Sequence, residues 1–126
     1  MTDASGIFTE QKLQELFPPT RADEFFEALF GDASEGAYDI TLHFAGQQGD
    51  ALHFELHLGQ RPGKCLACNL TYGLPEVFQR HPIIDIAGLA KNIAAAVGRP
   101  LSDWQLGRTV EVSRELHKIP LTVTLG

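Results

Sequence analysis

The chain contains no apolar run of about 18 residues, the length a membrane-crossing helix requires. It also does not open with a basic stretch followed by a long apolar one, the pattern of a secretory leader. A cytoplasmic location is therefore the expectation. Cysteine is scarce: two in 126 residues do not make a disulfide framework. Basic residues are outnumbered too, ten Lys and Arg against sixteen Asp and Glu, a formal charge of −6. The imbalance sits at one end. Residues 1–40 hold nine acids and two bases, net −7, whereas residues 41–126 hold seven and eight, net +1. With no Lys/Arg-rich stripe to offset that charge, phosphate backbones and anionic membrane surfaces are repelled. Nucleic acid and membrane are thus excluded as expected partners, and the acidic portion reads as a solvated face.

Several motifs are missing as well. The chain has no Gly-x-Ser-x-Gly elbow and no His-Glu-x-x-His helix. The segment Gly59-Gln60-Arg61-Pro62-Gly63-Lys64 lacks the glycine spacing and following Ser or Thr of a phosphate loop, and it lies between strands. The parallel strand–helix alternation of a dinucleotide fold is also absent. Nucleophilic catalysis and nucleotide chemistry lose their usual supports.

What is present is alternation. Tyr38, Ile40, Leu42 and Phe44 alternate with Asp39, Thr41, His43 and Ala45; Leu52, Phe54, Leu56 and Leu58 alternate with Ala51, His53, Glu55 and His57. A period of two marks strands with one buried face. Gly46 to Gly49 suits a hairpin loop, and Gly59 to Gly63 a second one leading to a third strand, Cys65 to Thr71. Near the other end Trp104, Leu106, Val110 and Val112 share one parity, with a turn or bulge at Arg108. Ile119, Leu121, Val123 and Leu125 form the last strand, which Pro120 assigns to an edge or a strand start.

Helical signals fill the rest. Residues 1–6 read as frayed. Thr9 caps a helix from Glu10 to Phe17, stopped by Pro18 and Pro19. Thr20 and Asp23 form a capping box for Arg21 to Phe30, which Gly31 closes. Gly73-Leu74-Pro75 is a turn before a short helical piece ending at His81-Pro82. Asp85 caps the Ala-rich helix through Val97, which carries an unfavourable Gly88 in its first turns. The expected fold is one α+β domain over residues 1–126. It has a helical pair at 9–30, a five-stranded mainly antiparallel sheet, the order α-α-β-β-β-α-β-β and helices packed on one face. Two smaller sheets curling into a half-barrel are the alternative.

Candidate chemistry follows from the strand register. Pairing Phe44 with Leu52 sets His43 opposite His53, with Glu55 next but one, close enough for two imidazoles and a carboxylate to hold zinc, nickel or iron. Pairing Leu56 with Leu66 adds Cys65 beside His57. Cys65 and Cys68, three apart in a strand, point to opposite faces and read as inert thiols. His57 and Glu55 also supply an acid–base pair. His117, next to Lys118 in a turn, reads as solvent-facing. Phe25, Phe26, Phe30, Phe78 and Trp104 are the candidates to surround an apolar ligand. The two N-terminal helices carry Leu13, Leu16, Phe17, Phe25, Phe26 and Phe30, more than one sheet face easily absorbs, which argues for a homodimer.

The order of a helix, three strands, a helix and two strands is similar to small secretion-chaperone-like domains. That resemblance implies a dimer that binds extended protein clients. The functional expectation is a non-catalytic binding or adaptor module for a protein client or apolar small molecule, acting as a homodimer and without a cofactor. The alternative is a metal-dependent enzyme or sensor using His43, His53 and Glu55, with Cys65 and His57 nearby.

Overall fold

The computed structural model describes residues 4–18, 20–31, 36, 38–63 and 74–126. The helices are α1 (Ala4–Ile7), α2 (Glu10–Leu16), α3 (Arg21–Phe30), α4 (Leu74–Arg80) and α5 (Ile86–Val97). The strands are β1 (Tyr38–Gln48), β2 (Ala51–Gln60), β3 (Leu101–Leu106), β4 (Val110–Glu111) and β5 (Leu116–Leu125). The protein is an α+β domain with an open five-stranded antiparallel sheet in the order β1-β2-β5-β3, β4 pairing beside β5.

β5 alternates strictly between half-buried and buried residues, and β2 does so from Ala51 to Gly59. Their register sets Leu52 against Val123, Phe54 against Leu121, Leu56 against Ile119 and Leu58 against His117. This inner face forms the core together with residues from all five helices or their flanks. α1, α2 and α3 rest on β1, while α5 rests on β3 and β5.

Several expectations change in physically instructive ways. The third strand was expected to pair with β2, but β5 holds that side of β2 along its whole length. Residues 64–73, including the predicted Cys65–Thr71 strand, lie outside the described residues. The first hairpin turns at Gly49–Asp50, with Gly49 at φ +60, rather than across Gly46–Gly49. A bulge between Phe44 and Gly46 then pairs Phe44 with Phe54, two residues from the expected Leu52. Pro120 stands inside an interior strand rather than at an edge. Its carbonyl accepts from the Gly107 amide at 2.8 Å. Because the nitrogen and carbonyl of one strand residue point the same way, the ring nitrogen faces the gap between β3 and β4, where no ladder bond is lost. His117 is 2% exposed on the inner face, not in a solvated turn, because β5 starts at Leu116 and gives His117 the parity of Ile119.

The helix ends follow local chemistry. Thr9 Oγ1 accepts from the Lys12 amide at 3.2 Å. The Thr20–Asp23 box does not form: Thr20 is helical and makes no side-chain cap. Asp23 is drawn instead to Arg61 Nη2 at 2.6 Å, and Arg61 Nε donates to Asp39 at 3.0 Å. The guanidinium lies 5.3 Å from the centre of the Phe26 ring. That clamp ties α3 to the far end of the β1–β2 hairpin.

Gly88 is explained by its cap. Asp85 Oδ1 accepts from the Gly88 amide at 3.1 Å, and a Cβ at Gly88 would collide with the same carboxylate. Alanine is ordinarily favoured over glycine in a helix by about 1 kcal/mol. Here Gly88→Ala is expected to lower the midpoint of urea unfolding, because the cap must move. The double variant Asp85→Ala/Gly88→Ala should recover part of that loss, and a stabilised single variant would contradict the account.

Candidate functional site

The outer face of the sheet is polar. His57 stands between Thr41 and Lys118, and Glu55 stands between His43 and Pro120. His57 Nε2 lies 3.1 Å from Glu55 Oε1, and Lys118 Nζ reaches the same oxygen at 3.4 Å. The His43 ring stacks on His57 with centroids 3.7 Å apart and planes at 20°. His43 Nε2 shares a 2.9 Å hydrogen bond with the Thr41 hydroxyl. Burial alone would raise the Glu55 pKa, but the His57 hydrogen bond and the Lys118 ammonium outweigh it and hold the carboxyl below its usual range. Partial desolvation and then repulsion from His57 push His43 down, with Glu55 and Glu10 opposing and Lys118 adding to the fall.

The structure does not set His43 against His53. The shifted hairpin pairs His43 with Glu55 and leaves His53 opposite Gly46. On its other side His53 faces Thr122, whose hydroxyl is 3.4 Å from Nδ1. Glu55 is already engaged by His57 and Lys118. Among the described residues no three His, Cys, Asp or Glu side chains are grouped to hold a metal ion. The hairpin that would have brought Cys65 beside His57 is replaced by β5, and Cys65 and Cys68 lie outside the described residues. Of these candidates, His57 is the one that meets two others, Glu55 by its hydrogen bond and His43 by stacking.

The aromatic candidates mostly fill the core. Phe25 and Phe78 are fully buried and meet edge to face at 5.6 Å. Phe26 is 3% exposed and packs on Phe25 and Tyr38. Trp104 is half-buried on β3, opposite Val123 and away from α3. Phe30 closes α3, and its side chain is outside the described set. Leu13, Leu16, Phe17, Phe25 and Phe26 are all buried within the one chain. The apolar surplus that argued for a dimer is absorbed internally to that extent.

A different set of residues surrounds a groove of about 490 Å³ between α2 and β1. Its apolar lining is Phe8, Leu13, Phe17, Leu42 and Phe44; Glu10, Gln14, Thr41 and His43 supply its polar lining. Phe8 stacks on Phe44 at 5.4 Å and meets Phe54 edge to face at 5.0 Å. Phe44 is the half-buried member that leaves apolar surface in reach of a ligand. Successive strand residues point to opposite faces. A groove lined by all of Thr41, Leu42, His43 and Phe44 therefore runs along the edge of β1, not over one face.

Sequence reasoning missed Phe8. The signal was available in its position directly before the Thr9 cap, with Leu13 four residues into the helix, the two halves of a hydrophobic staple. Both line the groove.

The stacked histidines give a pH prediction. The native state resists protonation at His43, so the unfolded chain binds that proton first and stability falls as pH drops below the ordinary value of 6.5. The Glu55 contribution has the opposite origin: it is present above the ordinary 4.5 and is lost as the carboxylate protonates below it. His43→Gln should flatten the decline in melting temperature between about pH 7 and 5. An NMR titration should place the His43 midpoint below 6.5, rising in His57→Gln; a wild-type midpoint above 6.5 would contradict the stacking account. Comparison with protein-family models, with curated proteins and with solved structures found no match for the chain.

Proposed function

We propose that the chain is a non-catalytic binding module that takes an extended segment of a protein partner along the edge of β1. The supporting observation is the groove lined by four consecutive β1 residues, at the end of the strand order among the described residues. Strand addition uses both parts of such a site: backbone pairing with the edge supplies affinity, and a side pocket selects the residue that enters it. Phe44 on the staple of Phe8 and Leu13 forms that pocket. Burying one apolar side chain contributes about 1.5–3 kcal/mol, against several kcal/mol lost on association. A short peptide should therefore bind weakly, with a Kd on the order of 10 µM to 1 mM.

A homodimer remains the second form of the same reading, with a second copy presenting its own β1. The half-buried state of the outer sheet residues and the internal burial of the helix aromatics favour recognition at the edge over a face-to-face dimer.

The test is a neutral peptide of alternating Leu and Thr, titrated into isotope-labelled protein. Saturable amide shifts are expected at Thr41–Phe44 and along α2. Phe44→Ala should weaken binding about five-fold or more, the scale of a lost aromatic contact. Methylating the peptide nitrogens that face β1 should abolish binding. Saturation on another face, or no shift at millimolar peptide, would overturn the proposal.

A further inference from the structure

We infer that the partner segment carries a lysine or arginine that meets Glu10 at the mouth of the groove, beside the apolar residue seated on Phe44. This deepens the reading just given and rests on it.

Three observations converge on a cationic occupant. Glu10 lines the groove and is exposed, and it makes no salt bridge among the described residues. The one base on α2, Lys12, leans the other way, toward Glu15 at 3.9 Å. The ionisable group facing Glu10 across the groove is His43; partial desolvation, then the His57 ring stacked on it and Lys118, disfavour its protonation and outweigh Glu55 and Glu10 itself. Near neutral pH the mouth therefore presents a carboxylate beside a neutral imidazole. The chain as a whole has the same sign, with a formal charge of −6. A basic segment is drawn toward that charge, and an acidic one is repelled during approach and again at Glu10.

The spacing of an added strand suits this pairing. Residues i and i+2 of an extended segment point to the same side. One such residue can sit on Phe44 and Phe8 while its neighbour two along reaches Glu10 from the same side of the strand. A small apolar ligand would occupy the Phe44 end and leave Glu10 unused. A second copy of this chain would bring its own β1, whose only charged residue is Asp39. Neither complements the carboxylate.

The experiment uses three peptides of alternating Leu and Thr in which one Leu, two residues from the Leu meant for Phe44, is replaced by Lys, by Glu or by the neutral Gln. Binding to the full chain is followed by amide shifts at pH 7.5 and low salt. The Lys peptide should bind about two- to five-fold tighter than the neutral one, and the Glu peptide weaker by a similar factor, the range of a partly exposed ion pair. Glu10→Gln should erase the difference among the three peptides, and added salt should shrink it. Acidification should also shrink it, because a protonated His43 competes with the lysine for Glu10.

Failure separates cleanly. If the neutral peptide binds at Thr41–Phe44 but Lys brings no gain, or if the gain survives Glu10→Gln, the inference is overturned and the groove reading stands. If no peptide binds at the groove, both fall. Sedimentation of the free protein provides a further check. A dimer that protects the β1 amides from exchange, and is not dissociated by the Lys peptide, would assign the groove to a second copy and overturn the inference.

Discussion

The antiparallel pairing of β2 with β5 is the constraint on which the rest of the molecule depends. Each strand alternates strictly along the paired stretch, so the pairing sets every inner residue of one against an inner residue of the other, from Leu52 with Val123 to Leu58 with His117. That seam fixes which side the helices must cover, and it fixes the outer side as polar. It also decides where the sheet ends. With β5 on one side of β2, β1 has a single partner among the described residues, and its other edge meets α2 across the groove. A two-sided seam near the centre is therefore what leaves a one-sided strand beside the N-terminal helices.

The faces were legible in the sequence and the partners were not. Alternation from Tyr38 to Leu58 and from Ile119 to Leu125 carries the parity of each side chain directly. It says nothing of what lies across the ladder. The hairpin register depended on a bulge next to Gly46 and a tight turn at Gly49, and two readings of the same glycines differ by two residues. A shift of two keeps every face and changes every partner. For that reason His43, Glu55 and His57 were correctly assigned to one face, while His43 was given the wrong neighbour. The pairing of β2 with a strand some sixty residues away had no local signal. A third consecutive hairpin was the shorter connection, and chain order alone favours it.

The aromatic residues show the same limit from the other direction. The helical stripe of Phe25 and Phe26 marks them as apolar but does not distinguish a cavity wall from a packed core. Their burial depends on Phe78, His81 and Tyr38, brought from α4, its exit and β1. Arg61 adds to that closure by covering Phe26 while holding Asp23 and Asp39. The Thr20–Asp23 capping box failed for a related reason: a carboxylate with a cation in reach is worth more in that pair than on a neutral amide. Local motifs are conditional on what the distant chain offers them.

An uncovered strand edge is a hazard as well as an opportunity, since it presents backbone groups to any other edge. Among the described residues the outer edge of β1 is such an edge, and the strand limits the hazard in several ways. The bulge before Gly46 breaks the regular run of the strand, so a long flat partner cannot follow it from end to end. α2 stands against one side, which narrows access to a single extended chain. Thr41 and His43 are tied to each other by a hydrogen bond, and His43 is tied to His57 by stacking, so the outer rim is polar and held in place. Among the described residues, what remains approachable is a short stretch of edge whose groove is lined by both Phe44 and Glu10. Phe44 stays apolar there because it packs on Phe8 and Phe54, and the proposed binding uses the part of its ring that this packing leaves half-buried.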